Sequence, residues 1–293
     1  MGQKALIADI DNTLFDWPAF FAPSFRAMVH ALERQLDLSY DQLISEFKEV
    51  YRVQDSLEFS FSIQQLASVR GRSQSDIDEL VRSGRGAFKR VSRKHLKAYS
   101  GVEATLAWLQ RQGHQVICVT NSPAYLAQKR LFDLRIDQYV DQLVAWEGIA
   151  LTEADKGGYL ATNLLRNRSR IRKVTTFKRS SLKPNPTPFL LAIESCKIRP
   201  SDAWTIGDSI SKDLAPASEL GIKTIWAKYG ATFNPESKNS RTLLSITNWS
   251  DEEIRATHGS VEYKPDFVID TFSDIRQILP ESQPDLFSPK GDR

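Results

Sequence analysis

Short, wholly apolar runs alternate along this chain with amphipathic stretches. Ala5-Leu6-Ile7-Ala8 stops abruptly at Asp9-Ile10-Asp11-Asn12-Thr13. Gln115-Val116-Ile117-Cys118-Val119 closes in Thr120-Asn121-Ser122, and Ala203-Trp204-Thr205-Ile206 closes in Gly207-Asp208. Runs of this length read as strands buried on both faces of a parallel sheet, with polar residues at their carboxyl ends. Further strands are expected near Tyr139 to Val144, over Lys223 to Ala227 and over Phe267 to Asp270. Helical periodicity predicts a helix carrying Leu126, Arg130 and Leu131, and others over Pro188 to Cys196 and Ser273 to Leu279. One more, over Asp213 to Leu220, is stopped by Gly221. Such alternation predicts an α/β fold with a parallel sheet.

From about Pro18 to Leu96 the pattern changes. Phe25, Met28, Val29 and Leu32 recur at helical spacing, as do Leu43, Phe47 and Val50, then Ile63, Leu66 and Ala67. Ser75 ahead of Asp76, Asp78 and Glu79 reads as an N-cap with an acidic first turn. A small helical module is therefore expected here. Residues 166 to 183 carry Arg166, Arg168, Arg170, Arg172, Lys173, Lys178, Arg179 and Lys183 without one acid. This stretch reads as a solvated, mobile loop, the alternative being a rim for an anionic substrate. Lys183 is set apart by the following Pro184 and its place before a helix. Residues 231 to 262 form a second polar insertion, and the tail from Pro280 is expected to be loosely ordered.

Composition narrows the class. The 293 residues are 41% apolar and 26% charged, the balance of a globular chain with a real core. A net charge of +3, from 39 basic and 36 acidic residues, gives no case for nucleic-acid or membrane binding. The two cysteines, Cys118 and Cys196, form no disulfide framework or zinc pattern, and no apolar run reaches membrane-spanning length. The start of the chain is too short and too quickly acidic for a signal peptide, so a cytoplasmic location is expected. The four histidines, His30, His95, His114 and His258, are scattered and read as structural or exposed.

The chemistry lies at the strand ends. In an open parallel sheet, ligands bind beyond the carboxyl ends of the strands. Asp9, Asp11, Thr120, Asp208 and Asp213 should therefore converge on one crevice. Neighbouring carboxylates repel unless a cation or shared proton lies between them, and an all-oxygen site favours a hard ion such as Mg²⁺. Mg²⁺ bridging Asp9 and a phosphate oxygen, with Lys183 adding positive charge, would let Asp9 attack a phosphomonoester and form an aspartyl-phosphate. Asp11 would protonate the leaving alcohol and later deprotonate the attacking water. Asn12, Thr120, Asn121 and Lys183 are the expected phosphate contacts.

These residues resemble the signature of the haloacid dehalogenase-like hydrolase superfamily. Asp9-Ile10-Asp11-Asn12-Thr13-Leu14-Phe15 resembles its first motif, Thr120 its second, Lys183-Pro184-Asn185-Pro186 its third, and Gly207-Asp208 with Asp213 its fourth. The resemblance implies a Rossmann-like, doubly wound parallel core over 1–16 and 99–280. It also implies an α-helical cap over 17–98, leaving 281–293 as a tail. Mg²⁺ would be held by the Asp9 carboxylate, the Asp11 backbone carbonyl and Asp208, with Asp213 in the outer shell. Insertions at about 148 to 180 and 231 to 262 depart from a minimal core. Asp11 disfavours a dehalogenase, which lacks the second aspartate. A phosphatase for a small phosphorylated metabolite is expected. A phosphomutase, a non-catalytic phosphate-ligand-binding protein and a phosphatase for proteins or nucleic-acid ends stay open as alternatives. Trp17, at the presumed hinge, either closes over substrate or packs.

Overall fold

The computed structural model describes residues 4–149, 168–232, 234–248 and 263–280. A seven-stranded sheet organises them: β1 (Ala5–Ala8), β2 (Gln115–Pro123), β3 (Gln142–Trp146), β4 (Lys173–Phe177), β5 (Ala203–Gly207), β6 (Lys223–Ala227) and β7 (Phe267–Ile269). All neighbours are parallel, in the order β4-β3-β2-β1-β5-β6-β7. The chain lays strands outward from β1 to β4, then returns to set β5 on the other flank of β1. That reversal opens a crevice at the carboxyl ends of β1 and β5, where ligands bind in sheets of this type.

Between β1 and β2 the chain inserts α1 (Trp17–Leu36), α2 (Tyr40–Gln54), α3 (Gln74–His95) and α4 (Val102–Arg111). α4 packs back on the sheet, whereas α1 and α3 lie against each other. Gly84 permits that approach, since a Cβ there would come within 2.7 Å of Ile63 Cδ1 and 3.3 Å of Met28 Cγ. The remaining helices are α5 (Ala124–Asp133), α6 (Thr187–Cys196), α7 (Ala215–Glu219), α8 (Lys238–Ile246) and α9 (Ile275–Ile278). Strand side chains alternate between the two faces of the sheet. Leu6, Ala8, Val116 and Cys118 join a core with Leu106 of α4 and Leu131 of α5, which continues into the helical insertion. Ala5, Ile7, Ile117 and Val119 join a second core with Phe189 of α6 and Ala217 of α7. Both faces are covered at the centre of the sheet, which is why β1 is apolar at every position, while the edge strands β4 and β7 leave Val174, Phe267 and Val268 exposed.

Several local expectations are corrected. The N-cap of α3 is Ser73, not Ser75: Ser73 is extended and its hydroxyl accepts from Asp76 N at 3.2 Å. Ile63 and Ala67 fall in two separate 3₁₀ turns rather than one helix, with Leu66 extended between them. The apolar signal at Tyr139–Val140 is a 3₁₀ turn ahead of β3, which starts at Gln142. The basic stretch is not simply a loop, because the β-branched run Val174-Thr175-Thr176 pairs in register with β3 as an edge strand. Within it Arg179 pairs with Asp55 at 2.8 Å and Arg172 with Asp141 at 3.2 Å. The helix expected from Asp213 begins as a π-turn over Ile210–Leu214. The second insertion supplies α8, which packs on α1 and α2. Expectations about Arg166, His258, most of 148 to 180, residues 249–262 and the tail 281–293 lie outside the described residues. Among the described residues no helix is long and apolar enough to cross a membrane.

Candidate active site

Asp9 continues β1 by one residue, and its N–H donates to Ile206 O of β5 at 2.9 Å. That ladder bond carries its carboxylate to the end of β5, where Gly207 and Asp208 follow. Gly207 is required there, since a Cβ would lie 2.4 Å from the Asp213 carboxylate. The π-turn then folds back on the strand end: Asp213 N donates to Ser209 O at 2.9 Å, and Asp213 Oδ2 accepts from Ser209 N at 3.1 Å. π-turns recur at functional sites because the extra residue redirects a side chain. As a result Asp9, Asp208 and Asp213, all buried, offer carboxylate oxygens within 4.8 Å of one another.

One cation sits among them. Lys183 Nζ donates to Asp9 Oδ1 and Asp213 Oδ1, both at 2.6 Å, and to Val119 O at 3.1 Å. Its backbone, joined to Pro184 by a cis peptide, is clamped by Asn121, whose Oδ1 accepts from Lys183 N at 2.8 Å and whose Nδ2 donates to Lys183 O at 3.0 Å. The Asn121 side chain, expected at the phosphate, is thus engaged in holding Lys183. Burial pushes the Asp9 carboxyl up to about 7, with Lys183 pulling down and Asp213 and Asp11 pushing up. Asp208 is driven well above its ordinary value by burial and then by Asp213 and Asp9. Burial opposes the charge on Lys183, but Asp213 and Asp9 outweigh it and hold its pKa above the ordinary value. The nearest partner of the Asp208 carboxylate is Asn12 Nδ2, at 3.5 Å. Three buried carboxylates facing one ammonium form an all-oxygen donor set with excess negative charge, which fits a hard divalent cation.

Asp11 faces elsewhere. Its Oδ2 accepts from Ser122 Oγ at 2.6 Å and its Oδ1 from Arg130 Nη1 at 3.1 Å. The buried Arg130 of α5 also pairs with Glu58, from the loop after α2, and Trp17 Nε1 donates to the same Glu58 oxygen at 2.9 Å. Burial raises the Asp11 carboxyl to about 6, with Arg130 lowering it and Glu58 raising it. Arg130, Glu58 and Ser122 were missed as site residues. A visible sign was Arg130 standing beside Leu131 on the apolar stripe of its helix; the irregular loop holding Glu58 carries none.

Asn12 turns the chain after β1 with φ 60°, a left-handed conformation that asparagine tolerates, and its Oδ1 accepts from Trp17 N at 3.2 Å. Thr13 Oγ1 donates to Asp9 Oδ2 at 3.4 Å, and Thr120 Oγ1 accepts from Ser122 N at 3.0 Å. Trp17 stacks on Phe21 with centroids 4.6 Å apart while also reaching the cavity. All the residues expected from sequence, Asp9, Asp11, Asn12, Thr120, Asn121, Lys183, Asp208 and Asp213, line one cavity of about 710 Å³.

Comparison with known proteins agrees with this geometry. The family model described as haloacid dehalogenase-like hydrolase matches residues 6–152, and a HAD-hydrolase-like model matches residues 182–275. The phosphoglycolate phosphatase of Nitrosococcus oceani is 25% identical over 282 residues, covering 95% of this chain and 97% of the relative. The glyceraldehyde 3-phosphate phosphatase of Pyrococcus furiosus is 20% identical over 237 residues, covering 78% and 81%. Among solved structures, a HAD phosphatase from Thermococcus onnurineus shares the fold with a TM-score of 0.56, at 19% identity, covering 96% of this chain and all of that one. The parallel sheet, the acidic cluster at its switch point and the helical insertion after the first strand are consistent with the family model that matches residues 6–152, and on that match the chain belongs to the haloacid dehalogenase-like hydrolases.

Proposed function

We propose that this protein hydrolyses a small-molecule phosphomonoester, with Asp9 as nucleophile and Asp11 as general acid and base. The observation carrying this reading is the division of labour between two carboxylates in one cavity. Asp9 lies in the acidic cluster against Lys183, while the Asp11 carboxylate is held apart by Ser122 and Arg130. The phosphatases related to this chain act on small phosphorylated metabolites, which supports the same class here. The helical stretch 17–98 serves as the cap over the 1–16 and 99–280 core.

Mg²⁺, when bound by Asp9, Asp208 and the Asp11 carbonyl, would supply positive charge against the substrate phosphate. Asp213, already engaged by Lys183 and Ser209 N, suits an outer position beside that ion. Lys183 offsets part of the negative charge on Asp9 and the phosphate. The Asp9 carboxylate attacks phosphorus as the ester oxygen departs, and the Asp11 carboxyl gives that oxygen its proton. Asp11, now ionised, takes a proton from water, which cleaves the aspartyl-phosphate and restores Asp9. Thr120 and the turn at Asn12 contact phosphate oxygens.

Phosphate release measured with Mg²⁺ over sugar phosphates, nucleotides and amino-acid phosphates tests this reading. Asp9→Asn should lower kcat by on the order of 10³-fold or more, as loss of a covalent nucleophile does. Wild-type turnover in that variant would sink the mechanism. A phosphate recovered on a second hydroxyl rather than free in solution would identify a mutase instead.

A further inference from the structure

The Asp11 carboxyl belongs to a polar network that continues past the cavity wall. Ser122 Oγ donates to Asp11 Oδ2 at 2.6 Å and accepts from Arg130 Nη1 at 3.0 Å, and the same Nη1 donates to Asp11 Oδ1 at 3.1 Å. The other fork nitrogen, Nη2, donates to Glu58 Oε1. That oxygen also accepts from Trp17 Nε1 at 2.9 Å. The guanidinium lies 5.4 Å from the ring centroid of Phe20 and 6.0 Å from that of Phe15, neither of which offers it a hydrogen-bond acceptor. The side chains of Arg130 and Glu58 are 6% and 11% exposed, and neither is among the described residues that line the cavity. Whatever they do for the reaction passes through Asp11.

The loop after α2 has other holds on the sheet domain. Asp55 pairs with Arg179 at 2.8 Å, the Ser60 hydroxyl meets Tyr125 OH, and Phe59 is buried between them. Glu58 is directed instead at the one cation that touches Asp11. Stability alone is a weak reason for that, since a buried ion pair gains little over an apolar replacement. Geometry supplies a stronger one. An arginine fork can close on a single carboxylate with two parallel bonds. Here the hydrogen bonds from Arg130 to Asp11 all come from Nη1, because Glu58 occupies Nη2. Without Glu58 both nitrogens are free to close on Asp11 and turn its carboxyl.

We propose that Glu58, supplied by the helical insertion, is a positioning residue. By holding Arg130 Nη2, it fixes the Asp11 carboxyl in the orientation that delivers a proton to the leaving oxygen. The inference rests on the phosphatase reading above. The bond changes are those written there, and Glu58 and Arg130 themselves exchange no proton. Misplacing a catalytic acid by about 1 Å costs on the order of 10²-fold where proton donation limits the rate.

The test exploits the leaving group. p-Nitrophenyl phosphate loses its aryl oxygen as a stable anion and needs little help from an acid. Glucose 6-phosphate, glycerol 3-phosphate and phosphoglycolate release an alkoxide that must be protonated. kcat/KM, which covers the steps through phosphoryl transfer to Asp9, is measured for each with Mg²⁺ in the wild type, Glu58→Ala and Glu58→Gln. Glu58→Ala should lower it for the best alkyl ester by about 10- to 100-fold, mainly through kcat, and by far less for the aryl ester. Glu58→Gln keeps the shape and one acceptor oxygen. It should show the same sign at smaller size, and it serves should the alanine variant fail to fold. In an Arg130→Met background, Glu58→Ala should leave the alkyl-to-aryl ratio where that variant set it, because Glu58 acts only through Arg130; a further fall would overturn the inference. Equal losses on both ester classes, or no loss, would make Glu58 merely structural and overturn the inference but not the phosphatase. So would a wild type active on the aryl ester alone, since it would hold no acid for Glu58 to position. No phosphate from any of these esters in the wild type would overturn both.

Discussion

Asp9 and Asp11 stand two residues apart and are neutralised by different cations. Asp9 shares Lys183 with Asp213, and Asp11 shares Arg130 with Glu58. Burial raises both carboxyls, to about 7 and about 6, so Asp11 holds a proton over part of the range in which the proposed mechanism asks it to act as an acid. Arg130 is the positioning residue of this arrangement, since it fixes where the Asp11 carboxylate points. Arg130→Met would leave two buried carboxylates without their cation, at a cost of about 3–5 kcal/mol by analogy with other broken buried pairs. Its melting temperature and kcat should both fall. Adding Glu58→Gln should recover part of the melting temperature and none of the kcat. Recovery of kcat along with stability would mean that Arg130 matters only for folding.

Elements bring these residues together through backbone contacts that glycine makes possible. Gly207 clears space for the Asp213 carboxylate at the end of β5, and Gly230 lets the segment after β6 touch the turn at Asn12. The second contact is the sharper one, because the atom in the way belongs to the backbone and cannot rotate aside. Gly230→Ala should therefore displace either the Asn12 turn or the segment leading to α8. Expected outcomes are a lowered melting temperature and a rise in KM together with a fall in kcat, measured by calorimetry and phosphate release. A variant with wild-type values in all three would show that the two segments separate without consequence.

At the scale of the whole molecule, the helical insertion is tied to the sheet domain along several lines. Glu58 meets Arg130, Asp55 meets Arg179, Ser60 meets Tyr125, and Arg26 holds α8. The acidic crevice beneath links stability to pH and metal. In the metal-free protein Asp9 and Asp11 bind protons more tightly than their ordinary 3.8, so their contribution is complete below that value. It is lost as pH rises through about 6 and about 7. A divalent cation that binds only the folded, deprotonated site acts in the opposite direction. Mg²⁺ should thus raise the melting temperature more near pH 7.5 than near pH 5, by scanning calorimetry. Equal gains at both would place the ion elsewhere.

Which features were legible depends on how local their cause is. Apolar runs ending in Asp9, Thr120 and Asp208 announce a parallel sheet, because a strand buried on both faces has no polar position until it ends. Lys183 meets Asp9 across 174 positions, but no apolar run announces it: only the following Pro184 and its place before a helix set it apart. Smaller cues misled where two readings competed locally, as with Ser73 against Ser75 and the β-branched run hidden in the basic stretch. Two features left no mark on the chain: the Glu58 side of its pair with Arg130, and the engagement of Asn121 with Lys183. Each depends on which side chains packing sets face to face, and no local propensity or periodicity encodes that.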